Sequence, residues 1–322
     1  MQQTTILSGI QPTGRLHLGN YLGSLRNFLE LQKTSRCFFM VADYHSLTEN
    51  YNPKEKRAQI VDLLKSFVAI GLDPKRSTIF IQSHIPEHFE LAWIFNTITP
   101  VGYLERMTQY KDKAGRQQQN INIGLFDYPV LQAADILMYH ATAVPVGQDQ
   151  DQHLELTREI ARLFNNRFGN TFVEPKTLHT QTPRVMSLLE PDKKMSKSLG
   201  DPHCLYLDDD PDTIAKKISR AVTDAGDGTS RGANNLLELL SYFSQPATLQ
   251  RFSADQKNKT LKYAELKKTL ADDIARYFAE FRKKKAAISD AAAEKIAHAG
   301  AKTARAVAQK TMAEVRKKIG VL

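Results

Sequence analysis

Short apolar runs alternate with helical periodicity through the first half of the chain. Thr5-Ile6-Leu7 predicts a strand that runs into Ser8-Gly9-Ile10-Gln11-Pro12-Thr13-Gly14, a loop rich in breakers. Leu18, Leu22, Leu25 and Leu29 recur at three- and four-residue spacing and predict a helix over residues 18–31. The run from Cys37 to Ala42 reads as a buried strand. Pro53 suits the first turn of a helix reaching Ile70, where Gly71-Leu72-Asp73-Pro74 stops it. Thr78 to Gln82 predicts a third strand. Strands alternating with helices in this way indicate an α/β fold with a parallel sheet of the doubly wound type.

Residues 84–140 read as mostly helical, with a polar, poorly patterned stretch near Ala114 to Asn120. Ala143-Val144-Pro145-Val146 predicts a fourth strand and Asp151 to Phe164 a long helix. Arg184 to Leu189 predicts a fifth strand before a lysine-rich loop. Beyond residue 207 strand signals stop, and Ala, Lys, Leu and Glu recur at helical spacing. The expected organisation is an α/β domain over 1–207, with a helical insertion at about 84–140, then an all-helical domain over 208–322 whose last helix can pack back on the first domain. No internal repeat is evident.

Composition narrows the class. At 322 residues, with 42% hydrophobic and 25% charged residues, the chain resembles ordinary globular proteins and needs no disulfide to hold a core. A formal net charge of +9 fits a polyanionic partner such as a nucleic acid or nucleotide. Cys37 and Cys204 are the two cysteines and neither belongs to a CxxC pair, which argues against a zinc or iron–sulfur site. The start, MQQTTILSGIQPTG, lacks a basic segment followed by a long apolar one. No apolar run approaches the roughly 20 residues that span a bilayer. The expectation is a cytoplasmic protein without a dedicated metal site.

Two segments carry candidate chemistry. Gly14-Arg15-Leu16-His17-Leu18-Gly19-Asn20 follows a strand and opens a helix, where backbone N–H groups and the helix dipole favour a phosphate. Gly19 allows a base or ribose close to the backbone, and His17 and Asn20 can donate to phosphate oxygens. Lys193-Lys194-Met195-Ser196-Lys197-Ser198 places two ammonium groups three residues apart on a short loop, suited to a triphosphate. Taken singly, the first is a common helix start and the second a solvated basic loop.

Together, in this order and strand context, they resemble the HIGH and KMSKS signatures of class I aminoacyl-tRNA synthetases. The resemblance extends to the tryptophan branch of that class through Ser8–Gly14, Leu104–Lys113, Ala133-Ala134-Asp135-Ile136-Leu137, Val144–Gln150 and Arg184-Val185-Met186-Ser187-Leu188. It implies a Rossmann-like catalytic domain, a helical domain that reads the tRNA anticodon, ATP and tryptophan as substrates, Mg²⁺ carried mainly on the ATP phosphates, and a homodimer joined through the helices at about 84–140. By the same resemblance Lys194, Lys197 and Lys113 neutralise the departing pyrophosphate. Gln11, His17, Gly19, Asn20, Gly147, Asp149, Met186, Met195 and Ser196 would hold ATP. His45, Tyr128, Gln132, Asp135 and Gln150 would form the tryptophan pocket, with Asp135 accepting the indole N–H and His45 near the substrate carboxylate.

From the residues alone, Asp135 can equally sit on an exposed face or cap a neighbouring helix, and the other pocket residues can be core or rim. Gln132 stands where many tryptophan enzymes have Met, and Tyr128-Pro129-Val130-Leu131-Gln132 also resembles archaeal-type tyrosyl-tRNA synthetases. Tyr103 and Leu199-Gly200-Asp201 also depart from the commonest family pattern. The tyrosine enzyme is therefore one alternative, a non-catalytic synthetase-like binding protein a second, and a nucleotidyltransferase of the same superfamily a third.

Overall fold

The computed structural model describes residues 3–108, 121–147, 150–179, 183–224 and 228–321. Five parallel strands, β1 (Thr5–Ile10), β2 (Arg36–Val41), β3 (Ser77–Ile81), β4 (Ala143–Val146) and β5 (Lys176–His179), form one sheet in the order β3-β2-β1-β4-β5. The order reverses between β1 and β4. In open α/β sheets ligands bind beyond the carboxyl ends of the strands at such a reversal.

Four of the strands match their apolar runs, and β1 continues to Ile10 because its ladder with β2 pairs Ile10 with Val41. The fifth differs. The edge strand is Lys176–His179, only partly buried, while Arg184 to Leu189 contributes a single antiparallel bridge, Met186 to Lys194. An edge strand has one neighbour and needs little apolar character, so Lys-Thr-Leu-His gave no strand signal.

The helices in chain order begin with α1 (Leu18–Asn20), which passes through a π-helical stretch, Tyr21–Leu25, into α2 (Arg26–Thr34). They continue as α3 (Pro53–Ile70), α4 (Glu87–Asn96), α5 (Val101–Glu105), α6 (Ile123–Met138) and α7 (Asp151–Phe168). The remainder are α8 (Pro211–Ser219), α9 (Arg231–Phe243), α10 (Pro246–Lys257), α11 (Tyr263–Tyr277), α12 (Ala279–Ala287) and α13 (Asp290–Ile319). No described helix is long and apolar enough to cross a membrane.

The chain folds as two compact units. Met1–Gly14, Asn27–Gln181 and Ile288–Leu322 make the first; Arg15–Arg26 and Thr182–Ala287 make the second. The units do not divide at residue 207: the helix start at Leu18 and the lysine loop share the second unit, and α13 belongs to the first. In the first unit Phe38, Phe80, Phe95, Phe164 and the alanines Ala301, Ala304 and Ala308 of α13 share one core. Gly300 lets α13 lie against β3, since a Cβ there would stand 1.8 Å from the Ile79 carbonyl oxygen. In the second unit Tyr21, Phe243, Tyr277 and Phe278 form an aromatic cluster with ring centroids 4.9–6.4 Å apart.

Candidate active site

In the first unit the centre of interest is Asp135 on α6. The helix starts where the Asn122 side chain accepts the Leu125 N–H at 2.9 Å. Tyr128, Gln132 and Asp135 recur at four- and three-residue spacing and so share one face. Asp135 is 1% exposed, which excludes the reading of a surface acid. Its Oδ2 lies 2.7 Å from His45 Nε2, and its Oδ1 lies 2.5 Å from His88 Nδ1. The Gln82 amide donates to both oxygens at 2.9 and 3.0 Å. His45 follows β2 and Gln82 follows β3, so the strand ends supply partners that α4 completes with His88.

A carboxylate buried without partners would be neutralised. Burial does push the Asp135 pKa up, but the adjacent His88 and the hydrogen bonds from His45 and His88 outweigh it and bring it down to about 2. The result is a desolvated, ionised acceptor. The tryptophan-pocket expectation did not include His88 or Gln82. An imidazole inside the apolar stretch of α4 was the sole available hint.

The remaining predicted residues of this unit vary in placement. Tyr128 is buried, with its hydroxyl 2.8 Å from His153 Nε2. Gln132 is half-buried on α6, and Gln150 sits at the start of α7, its N–H donating to the Gly147 carbonyl at 3.0 Å. Gln11 is half-buried and its carbonyl accepts the Thr13 N–H. His45, expected near a substrate carboxylate, is bonded here to Asp135. Lys113 and Asp149 lie outside the described residues. A cleft of about 410 Å³ lined by Asp43, Lys56, His84 and His298 contains none of these residues.

In the second unit His17 caps α1. Its Nδ1 accepts the Gly19 N–H at 3.1 Å, while the His17 N–H donates to Asn20 Oδ1 at 3.1 Å. With Nδ1 an acceptor, the neutral ring carries its hydrogen on Nε2. Burial and the charges of Lys197 and Lys194 lower the His17 pKa to about 4, so the ring is neutral at physiological pH. A Cβ on Gly19 would stand 2.9 Å from His17 Cε1 and 3.0 Å from Nδ1, so glycine is needed here to leave the ring in place.

The lysine loop is a short hairpin. Met195 N–H donates to the Val185 carbonyl at 2.9 Å and Ser187 N–H to the Lys193 carbonyl at 2.8 Å. Met195 is buried and anchors it; Met186, Ser196 and Lys197 are half-buried, and Lys194 is exposed. Ser196 Oγ lies 2.9 Å from Ser198 Oγ.

A charged cluster missed by sequence reasoning braces the same unit. Arg15 reaches Asp208 and Asp209 at 2.9 and 2.8 Å and lies over the Tyr206 ring. Buried Lys217 bonds Asp209 and Asp201 at 2.9 and 3.0 Å. Lys285 is buried and bonded to Asp208 at 2.8 Å, leaving Lys283 and Lys284 as the exposed members of that basic run. Among the described residues no three His, Cys, Asp or Glu side chains are grouped to hold a metal ion.

Residues 1–289 match the family model of class I tRNA synthetases for W and Y. The chain is 44% identical, over 98% of both lengths, to the tryptophan–tRNA ligase of Caldanaerobacter subterraneus. Tryptophanyl-tRNA synthetase from Campylobacter jejuni, solved with ADP and tryptophan, superposes with a TM-score of 0.88 at 32% identity, covering 98% of this chain and all of that one. The enzyme from Mycoplasma pneumoniae gives 0.86 at 34%, covering 99% and 98%.

Proposed function

Because the chain belongs to the class I tRNA synthetases of the tryptophan and tyrosine family, we propose how its residues divide the work of charging tRNA. The protein is an ATP-dependent aminoacyl-tRNA ligase for tryptophan. In the first step the tryptophan carboxylate attacks the α-phosphate of ATP, and pyrophosphate leaves. An α-carboxyl has a pKa near 3.5 and is already ionised, so no general base is needed. The enzyme supplies alignment and stabilises charge growing on the pyrophosphate.

Lys194, Lys197 and Lys113 neutralise that charge. Gln11, His17 and Asn20 hold the phosphates, with His17 donating through Nε2, and Gly19 lets the base or ribose approach the backbone. Gly147 and Asp149 serve the ribose, the backbone around Met186 and Met195 flanks the adenine, and Ser196 also binds ATP. The described phosphate-binding residues include no carboxylate. That donor set fits Mg²⁺ bound through the ATP oxygens, where it would add positive charge at the pyrophosphate.

Asp135 accepts the indole N–H, while Tyr128, Gln132, Gln150 and His45 complete the pocket. The observation that carries this reading is a buried carboxylate held by hydrogen bonds to His45, Gln82 and His88. In the second step the 2′-hydroxyl of the terminal adenosine of tRNA(Trp) attacks the carbonyl of tryptophanyl-adenylate, the ester forms and AMP leaves. The basic helical part within residues 208–322 reads the anticodon, by hydrogen bonding and stacking on splayed bases.

A second copy of the chain is the partner for the helices at 84–140, where Trp93 is 72% and Ile123 80% exposed. Two buried free thiols suit the cytoplasm. The test is pyrophosphate exchange with each of the twenty amino acids. Exchange with tryptophan alone is expected; preferred exchange with tyrosine would overturn the pocket assignment.

A further inference from the structure

His88 stands out because the sequence marks it only as an imidazole in an apolar helix. It is fully buried on α4, between Asp135 Oδ1 at 2.5 Å and the Tyr139 hydroxyl at 2.7 Å. We infer that His88 is a positioning residue, which holds the Asp135 carboxylate in the orientation that selects a ring N–H, with Tyr139 tethering the far nitrogen of the imidazole. This rests on the reading of Asp135 as the tryptophan acceptor.

The chain of bonds is directional. An ionised carboxylate only accepts, so His88 Nδ1 donates to Asp135, and in that tautomer Nε2 accepts from the Tyr139 hydroxyl. Burial, with Asp135 and Glu87 nearby, pushes the phenol pKa well above its usual value, so Tyr139 keeps the hydrogen it can donate. The Nδ1 hydrogen of the imidazole thus faces Asp135 Oδ1 at 2.5 Å. Gln82 and His45 hold the same carboxylate, so rotating it breaks bonds to three side chains. His88 is tethered at both nitrogens, whereas Gln82 Oε1 has no hydrogen-bond partner among the described residues. Core rings clamp the relay: Phe80 lies 6.2 Å from the His88 ring, and Phe38 stacks 4.7 Å from Tyr139. A group that orients a recognising carboxylate sharpens selection without touching the ligand.

The experiment compares pyrophosphate exchange with L-tryptophan and with benzothienylalanine, which keeps the bicyclic shape and lacks the ring N–H. His88→Ala is expected to reduce the preference for tryptophan by roughly 10- to 100-fold, mainly through KM for tryptophan. His88→Asn should restore most of it, because its Nδ2 occupies the place of Nδ1. Tyr139→Phe should give a smaller loss in the same direction. An equal fall with both substrates in His88→Ala would make His88 merely structural and overturn the inference. If His88→Ala does not fold, Asn and Gln decide: selectivity kept with Asn and lost with Gln supports the relay, and equal behaviour refutes it. Asp135→Asn is the control. A preference unchanged there defeats the Asp135 reading itself, with Gln82 Oε1 the acceptor to try next.

Discussion

Asp135 is sealed from solvent and takes hydrogen bonds from three side chains, whereas Lys194 stands in solvent on a hairpin anchored by Met195. On the proposed assignment of Asp135 and Lys194, the two units meet opposite electrostatic demands. Selecting a neutral N–H needs an acceptor that is desolvated and fixed beforehand, because a hydrated or turning carboxylate would accept water as readily. Neutralising a pyrophosphate that gathers charge and then leaves needs cations that are hydrated until used. Burial builds the first; exposure preserves the second. His17 lies between these extremes, kept neutral by burial first and then by the charges of Lys197 and Lys194 in its unit.

The sharpest way to break the contrast is Lys197→Ala. Tryptophan-dependent pyrophosphate exchange should fall about 10²- to 10³-fold, with the fold intact by circular dichroism. Near-normal exchange would remove Lys197 from the mechanism. Gly300→Ala probes the packing of the first unit instead. The Cβ would collide with the Ile79 carbonyl, and urea unfolding should show a loss of about 1–3 kcal/mol or more. An unchanged midpoint would mean that α13 gives way easily.

Acid titration separates the two units by window. The Asp135 pKa lies at about 2, below the ordinary aspartate value of 3.8. Its contribution is therefore present above pH 3.8 and lost as pH falls through 2, and amounts to about 2 kcal/mol. The stability–pH curve of Asp135→Asn should be flatter in that window; a parallel curve would contradict the shift. For His17, lowered from 6.5 to about 4, the corresponding contribution is present above pH 6.5 and lost as pH falls through 4. Its imidazole C–H resonance should titrate near pH 4, and higher in a Lys194→Ala, Lys197→Ala variant. A midpoint near 6.5 would mean that the ring is hydrated.

The contrast also governs what the sequence disclosed. The HxGN turn and the lysine loop are local, so adjacent letters carry their chemistry and the family could be recognised from them. Four strands were legible because buried parallel strands are continuous apolar runs. Lys176–His179 was not, because an edge strand tolerates polar residues, and the apolar Arg184–Leu189 serves the lysine hairpin. The partners of Asp135 come from 90, 53 and 47 residues away. His45 was visible through resemblance, while Gln82 and His88 were hidden in segments that read as a strand end and a core helix. Only the crossing of β2, β3, α4 and α6 makes them one network.

The division of labour is tested most directly by measuring the preference for tryptophan over benzothienylalanine in Lys197→Ala and Asp135→Asn side by side with the parent protein. The expected result is a Lys197→Ala enzyme that is slow but retains the full preference, and an Asp135→Asn enzyme that has lost it. Equal loss of preference in both, or its retention in Asp135→Asn, would contradict the assignment of recognition to the buried acid and of charge neutralisation to the lysine loop.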